Sequence, residues 1–177
     1  MSNNIDFKFL KKYVKNKKIY MILGNDDKNQ YGNILEINNL IKNINKKLEK
    51  DSIIYYFGEK SDKENPDIGY VISEIKNRRK DIEIIMLGIE NNVEFIQIPD
   101  FVSKVLWNNI KTTKKRGINN NSKKPIGLTK IWENLNKNEK IDNIYILGGD
   151  EITVEEYTIA KELNINTEYY PIKRKIQ

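Results

Sequence analysis

The stretch Ile144-Tyr-Ile-Leu-Gly-Gly-Asp-Glu-Ile-Thr-Val-Glu-Glu-Tyr157 runs from an apolar segment of strand length into a glycine pair, then acidic residues, then a helix start. A parallel sheet presents a phosphate or ribose site in this order. Glycine lets backbone N–H groups approach an anion closely, and the next helix points the positive end of its dipole at the same place. Glycines occur in many βα turns for geometry alone, so the weight falls on Thr153 and Glu156, which follow Gly148 and Gly149 at fixed offsets. The same two residues also read as a capping box, with Thr153 capping the helix and Glu156 reaching back to its backbone N–H. Capping and ligand contact are compatible at such a position.

The first half of the chain repeats the pattern. Lys18 to Leu23 is a continuous apolar run that stops at Gly24, and Ser52 to Phe57 is a second that stops at Gly58. Glu83 to Leu87 is a third, stopping at Gly88. Runs that are apolar on both faces fit buried parallel strands. Between them, Ile34, Ile37, Ile41, Ile44 and Leu48 recur at helical spacing, as do Ile68, Val71, Ile72 and Ile75. Asn65-Pro66 predicts the start of the second helix, with Pro66 at its first position, where a missing N–H costs nothing. Gly69 inside that first turn suggests a close backbone or ligand approach, since glycine is unfavourable in a helix interior.

Alternating strands and helices predict an α/β fold, a single Rossmann-like three-layer domain over residues 1–177 with a mostly parallel sheet of five or six strands. In such sheets the ligand crevice lies beyond the carboxyl ends of the strands. Gly24, Gly58, Gly88 and Gly148 should therefore converge on one edge.

Elsewhere the pattern predicts a leading helix over 5–14, a short strand over 95–98, a short helix over 100–107, a helix over 128–135, a helix over 154–163 and a closing strand over 167–172. Residues 111–127 are basic, Asn-rich and without apolar periodicity, which predicts a mobile loop; a loop of that length in a compact domain is usually functional or disordered.

The chain has 177 residues, no cysteine and no histidine, which excludes disulfides, thiolate catalysis, Cys-type zinc sites and histidine general bases. Chemistry must come from carboxylates, Lys, Arg, hydroxyls or backbone amides. No acidic run has the spacing of a calcium loop, and no metal or cofactor is expected. There is no apolar run of membrane-spanning length and no signal-peptide core, so a cytoplasmic protein without membrane contact is expected.

A net charge of +6 raises nucleic acid as a partner. Lysine is spread over nearly every surface segment, however, and aromatic residues do not interleave with the basic runs as a stacking platform requires. A basic rim serving a small anionic ligand accounts for the same charge.

With Ala160 one turn further on and Asn164-Ile165 leading to a last strand, Gly148-Gly149-Asp150-Glu151-Ile152-Thr153-Val154-Glu155-Glu156 resembles the Gly-Gly-x-Gly-Thr-x-x-Glu signature of the SLOG/LOG-like Rossmannoid superfamily. That group includes cytokinin-activating phosphoribohydrolases, often described as lysine decarboxylase-like, and sensor domains that bind nucleotide-derived ligands. The resemblance implies phosphate-turn glycines at Gly148 and Gly149, a phosphate-contacting hydroxyl at Thr153, and at Glu156 the glutamate that assists glycosidic cleavage in the enzymes. Two features depart from the pattern. Glu151-Ile152 stand where the family has one glycine, and the arginine that accompanies the family's glutamate has no evident counterpart, Arg78 and Arg79 lying at the end of an amphipathic helix.

These departures favour binding over catalysis. The leading expectation is a module that binds or senses a nucleotide or nucleotide-derived molecule, through Gly148, Gly149, Asp150 and Thr153 together with Gly24, Asn25 and Asp26 after the first strand and Gly58 and Glu59 after the second. The second is an enzyme that splits an N-glycosidic bond, a phosphoribohydrolase or deoxyribosyltransferase-like protein, with Glu156 catalytic. The third is a basic protein that binds nucleic acid through the 111–124 stretch. A homo-oligomer is compatible with each.

Overall fold

The computed structural model describes residues 14–25, 30–57, 63–89, 98–108, 114, 116–148 and 150–175. The expected helix over 5–14 (apart from Val14) and the expected strand over 95–98 (apart from Ile98) lie outside them, as do the site candidates Asp26, Gly58, Glu59 and Gly149.

Six parallel strands form one sheet in the order β4-β3-β2-β1-β5-β6: β1 (Ile19–Gly24), β2 (Ile53–Tyr56), β3 (Glu83–Ile89), β4 (Lys104–Asn108), β5 (Asn143–Gly148) and β6 (Thr167–Pro171). Four helices among the described residues cover it: α1 (Ile34–Lys47), α2 (Ile68–Arg78), α3 (Ile131–Asn138), which a 3₁₀ turn at Gly127–Lys130 leads into, and α4 (Glu151–Glu162). This is a Rossmann-like α/β architecture.

The burial pattern explains why the strands read as continuous apolar runs. Every residue of β1 and β2 is buried. Tyr20, Ile22, Ile54 and Tyr56 pack under α1 and α2, whereas Met21, Leu23, Ile53 and Tyr55 face the layer built by α3 and α4. Both sheet faces are thereby removed from water, as an all-parallel sheet requires.

Helix starts follow local side-chain chemistry. Asn33 caps α1 by accepting from the Leu35 and Glu36 N–H groups at 3.0 and 3.2 Å. The start of α2 falls later than expected: Asp67 is the cap, its carboxylate accepting from the Gly69 N–H at 2.7 Å, and Pro66 precedes it. An aspartate supplies an acceptor to the free N–H groups of the first turn, which proline cannot, so the boundary forms at Asp67.

The expected helix over 100–107 is a strand instead. After a turn closed by the Val102 N–H on the Pro99 carbonyl, β4 pairs with β3 from Ile85↔Lys104 to Ile89↔Asn108. Val105 packs with the α1/α2 side and Leu106 with the α3/α4 side, a strand alternation that five residues are too few to distinguish from helical spacing. Gly88 serves this pairing, because a side chain there would press on the Trp107 ring at 2.6 Å.

Candidate functional site

The chain lays down β1 through β4 in one direction across the sheet and then returns to place β5 on the other side of β1. The point between β1 and β5 is the topological switch point, where connections diverge and leave a crevice at the carboxyl ends. Gly24 pairs with Leu147 there, and Gly148 follows by one residue. Met21 pairs with Tyr55 and Tyr55 with Ile85, so Gly24 and Gly88 lie at the same level of the sheet. Gly24 and Gly148 therefore flank the switch point, Gly88 reaches the same edge two strands away but is filled by Trp107, and Gly58 is outside the described residues.

Tyr31 seals the base of the crevice. Its buried hydroxyl donates to the Leu147 carbonyl at 2.6 Å and accepts from the Asn25 N–H at 3.2 Å, joining the ends of β1 and β5 beyond their ladder. Burial pushes this phenol far above its ordinary range, so it acts only as a neutral hydrogen-bonding group.

Above Tyr31, four polar side chains converge, each at least nine-tenths buried: Asn25, Arg116, Asp150 and Glu156. Arg116 arrives from the stretch expected to be a basic loop. Its Nη2 donates to the Gly24 carbonyl at 2.6 Å, its guanidinium lies 5.8 Å from the centre of the Phe57 ring, and its Nε is 3.5 Å from Glu156 Oε1. The neighbouring residues fix it in place. Gly117, at φ +101°, donates its N–H to the buried Thr129 hydroxyl at 2.7 Å, and the Ile118 N–H donates to Glu155 at 2.7 Å. Lys114 pairs with the same Glu155 at 2.9 Å. Consecutive carboxylates on α4 thus hold one segment, Glu155 at its backbone and Glu156 at its arginine.

Arg116 is the arginine that lies beside Glu156, and sequence order did not single it out. Arg79 has a structural role at the far end of α2, donating to the Asn45, Leu48 and Glu49 carbonyls and pairing with Asp81 at 2.9 Å, and Arg78 pairs with Glu74 one turn back. The only sequence signal for Arg116 was an arginine beside a glycine inside a lysine-rich run.

The turn after β5 also differs from the capping box expected of Thr153 and Glu156. Asp150 is the cap: its Oδ1 accepts from the Thr153 N–H at 2.8 Å, while the Thr153 hydroxyl donates to the Asp150 carbonyl at 2.9 Å. Glu156 does not reach back, because one turn into α4 its side chain faces the crevice and Arg116. Burial drives the Glu156 carboxyl up to about 7, with Asp150 and Glu155 adding to the rise and Arg116 opposing it.

Five buried atoms of these four side chains have no hydrogen-bond partner among the described residues: Asn25 Nδ2 and Oδ1, Arg116 Nη1, Asp150 Oδ2 and Glu156 Oε1. Buried polar atoms are almost always satisfied, so this concentration of exceptions at the switch point singles it out as the candidate site. Two open depressions, of about 450 and 500 Å³, lie at the opposite edge of the sheet. Their rims are largely solvated lysines and asparagines, some already paired, as in Lys17 with Glu83 and Lys18 with Asp142. The buried atoms without a hydrogen-bond partner set the crevice apart from both.

No group of three or more acidic side chains among the described residues is arranged to hold a metal ion, and no described helix is long and apolar enough to cross a membrane. No family model matches the chain, and comparison with curated proteins and with solved structures finds no match. Fold and site together define the class: an all-parallel α/β domain with a buried, mixed donor and acceptor cluster at its switch point.

Proposed function

We propose that the chain binds a nucleotide or nucleotide-derived small molecule in the crevice between β1 and β5. The observation that carries this reading is the set of five buried atoms without a hydrogen-bond partner on Asn25, Arg116, Asp150 and Glu156 at the carboxyl edge of a parallel sheet. The resemblance of the 148–156 stretch to the SLOG/LOG-like superfamily points the same way. The test is thermal stabilisation by a panel of nucleosides, nucleotides, ADP-ribose-like compounds and cyclic dinucleotides. A ligand at a hundred times its Kd stabilises the native state by about 2.7 kcal/mol. At about 2 to 4 °C per kcal/mol for a chain of this size, that is a rise of about 5 to 11 °C. A melting temperature that no compound moves rejects the reading.

One observation favours the enzymatic alternative. A carboxyl that titrates near 7 beside a fixed guanidinium has the properties of an acid–base group, and cleavage of an N-glycosidic bond needs a carboxyl and no histidine. Under this reading Glu156→Gln abolishes release of base from nucleoside monophosphates, and unchanged release rejects it.

A further inference from the structure

The proposed site has a polarity of its own, and it is not the polarity of a phosphate pocket. Of the five atoms without a hydrogen-bond partner, three are acceptors, Asn25 Oδ1, Asp150 Oδ2 and Glu156 Oε1, the last ion-paired with Arg116, and two are donors, Asn25 Nδ2 and Arg116 Nη1. The positive end of the α4 dipole already faces a carboxylate of the chain itself, since Asp150 is bound to the Thr153 N–H. Arg116 is the one cation beside two carboxyl groups in the set Arg116, Asp150 and Glu156, and it pairs with Glu156 at 3.5 Å, so these three side chains sum to zero with Glu156 protonated and to a negative charge with it ionised, and in neither state to a positive one. An incoming phosphate meets Asp150 Oδ2 at close range in a dry environment, where like charges repel strongly.

The glycine at this corner has a packing reason instead of an anion-binding one. A side chain at Gly148 would press on Asn25 Oδ1 and on Thr153 Cγ2 at 2.8 Å. Its absence is what allows the Asn25 amide to lie over the turn.

From this geometry, and resting on the binding reading above, we infer that the group received beside Asp150, Glu156 and Asn25 is an uncharged donor-bearing one, a vicinal diol of the ribose kind, and that any phosphate of the ligand lies away from this corner. Each hydroxyl of a diol donates to a carboxylate or amide oxygen and accepts from Arg116 or Asn25, which meets both donors and two of the three acceptors, the third, Glu156 Oε1, already facing Arg116 Nε at 3.5 Å.

The experiment is calorimetry and thermal shift with matched pairs: each of the four common ribonucleosides against its 5′-monophosphate and against its 2′-deoxy and 3′-deoxy forms, with pyrophosphate as competitor. The expected result is a nucleoside that binds within about tenfold of its monophosphate, loss of at least tenfold on removing either hydroxyl, and no competition by pyrophosphate. Asp150→Asn retains the helix cap, since asparagine caps as well as aspartate. It converts the Oδ2 acceptor into a donor, so it is expected to weaken the nucleoside at least tenfold and to strengthen pyrophosphate. Binding that requires the 5′-phosphate, that tolerates both deoxy forms or that pyrophosphate displaces overturns the inference while leaving the binding reading intact. A panel in which nothing binds overturns the inference, and the binding reading falls with it when the ADP-ribose-like compounds and cyclic dinucleotides also leave the melting temperature unmoved. An Asp150→Asn protein that folds normally with unchanged ligand preference overturns the role given to Asp150.

Discussion

Glu156→Gln is expected to stabilise the protein at alkaline pH and to leave it nearly unchanged in acid. The Glu156 carboxyl is 1 % exposed, and its acidity is moved from 4.5 in the unfolded chain to about 7 in the folded one. Because the folded value is the higher, the ionised form is the one the fold disfavours. Stability linked to this group is fully present below pH 4.5, declines as pH rises toward 7, and is lost above it. At 1.36 kcal/mol for each tenfold change in proton affinity, the loss is roughly 3 kcal/mol. Glutamine matches the protonated carboxyl in shape and removes the titration, so wild type and variant should converge below pH 4.5 and differ by about 1 kcal/mol or less at pH 5. By pH 8 they should differ by roughly 3 kcal/mol in favour of the variant, about 6 to 12 °C in melting temperature. Urea unfolding of both proteins at half-unit intervals from pH 5 to 8 measures the difference directly, and other titrating groups cancel in it. A difference that does not change with pH, or a wild type that gains on the variant as pH rises, would show that Arg116 fully compensates the buried charge and refute the reasoning.

Two other substitutions separate the site from the scaffold. Gly148→Ala forces a methyl group against Asn25 and Thr153 and is expected to cost about 1 to 3 kcal/mol, read as a fall in melting temperature, together with loss of ligand response; a variant that binds normally would mean that the Asn25 amide is not part of the site. Arg79→Ala removes three bonds to backbone carbonyls and a partly exposed ion pair, and is expected to lower stability by about 1 to 2 kcal/mol with ligand response unchanged, so altered ligand affinity in calorimetry would contradict its purely structural role.

Local signals explain what was legible in the sequence. The central strands were, because burial on both faces writes continuous apolar runs. α1 was, because Ile37, Ile41 and Ile44 face the sheet at helical spacing. Gly24 and Gly148 were expected at one edge and stand there, on adjacent strands. The edge strand β4 was misread because only one of its faces is deeply packed and its five residues carry too little periodicity. The cap of α4 was misassigned for a chemical reason: Asp150 and Thr153 are both good caps, and only the backbone path after β5 selects the first. Arg116 was hidden because nothing local marks it. Its position depends on Thr129, Glu155 and Glu156, which lie elsewhere in the sequence, and on a left-handed Gly117.

The strand order explains why the arginine comes from that stretch. To reach β5 from the carboxyl end of β4, the chain must pass back over the ends of β3, β2 and β1 before descending through α3 to the start of β5. Arg116 is caught on that passage: its guanidinium lies over Phe57, just past the end of β2, and donates to Gly24 at the end of β1. Among the described residues, the returning connection is thus the segment that brings an arginine to the ends of β1 and β2. Gly117, Thr129 and the α4 carboxylates fix Arg116 where it turns inward. The basic run that suggests a nucleic-acid surface when read along the chain contributes Arg116, when read across the sheet, to the buried polar cluster at the ends of β1 and β5.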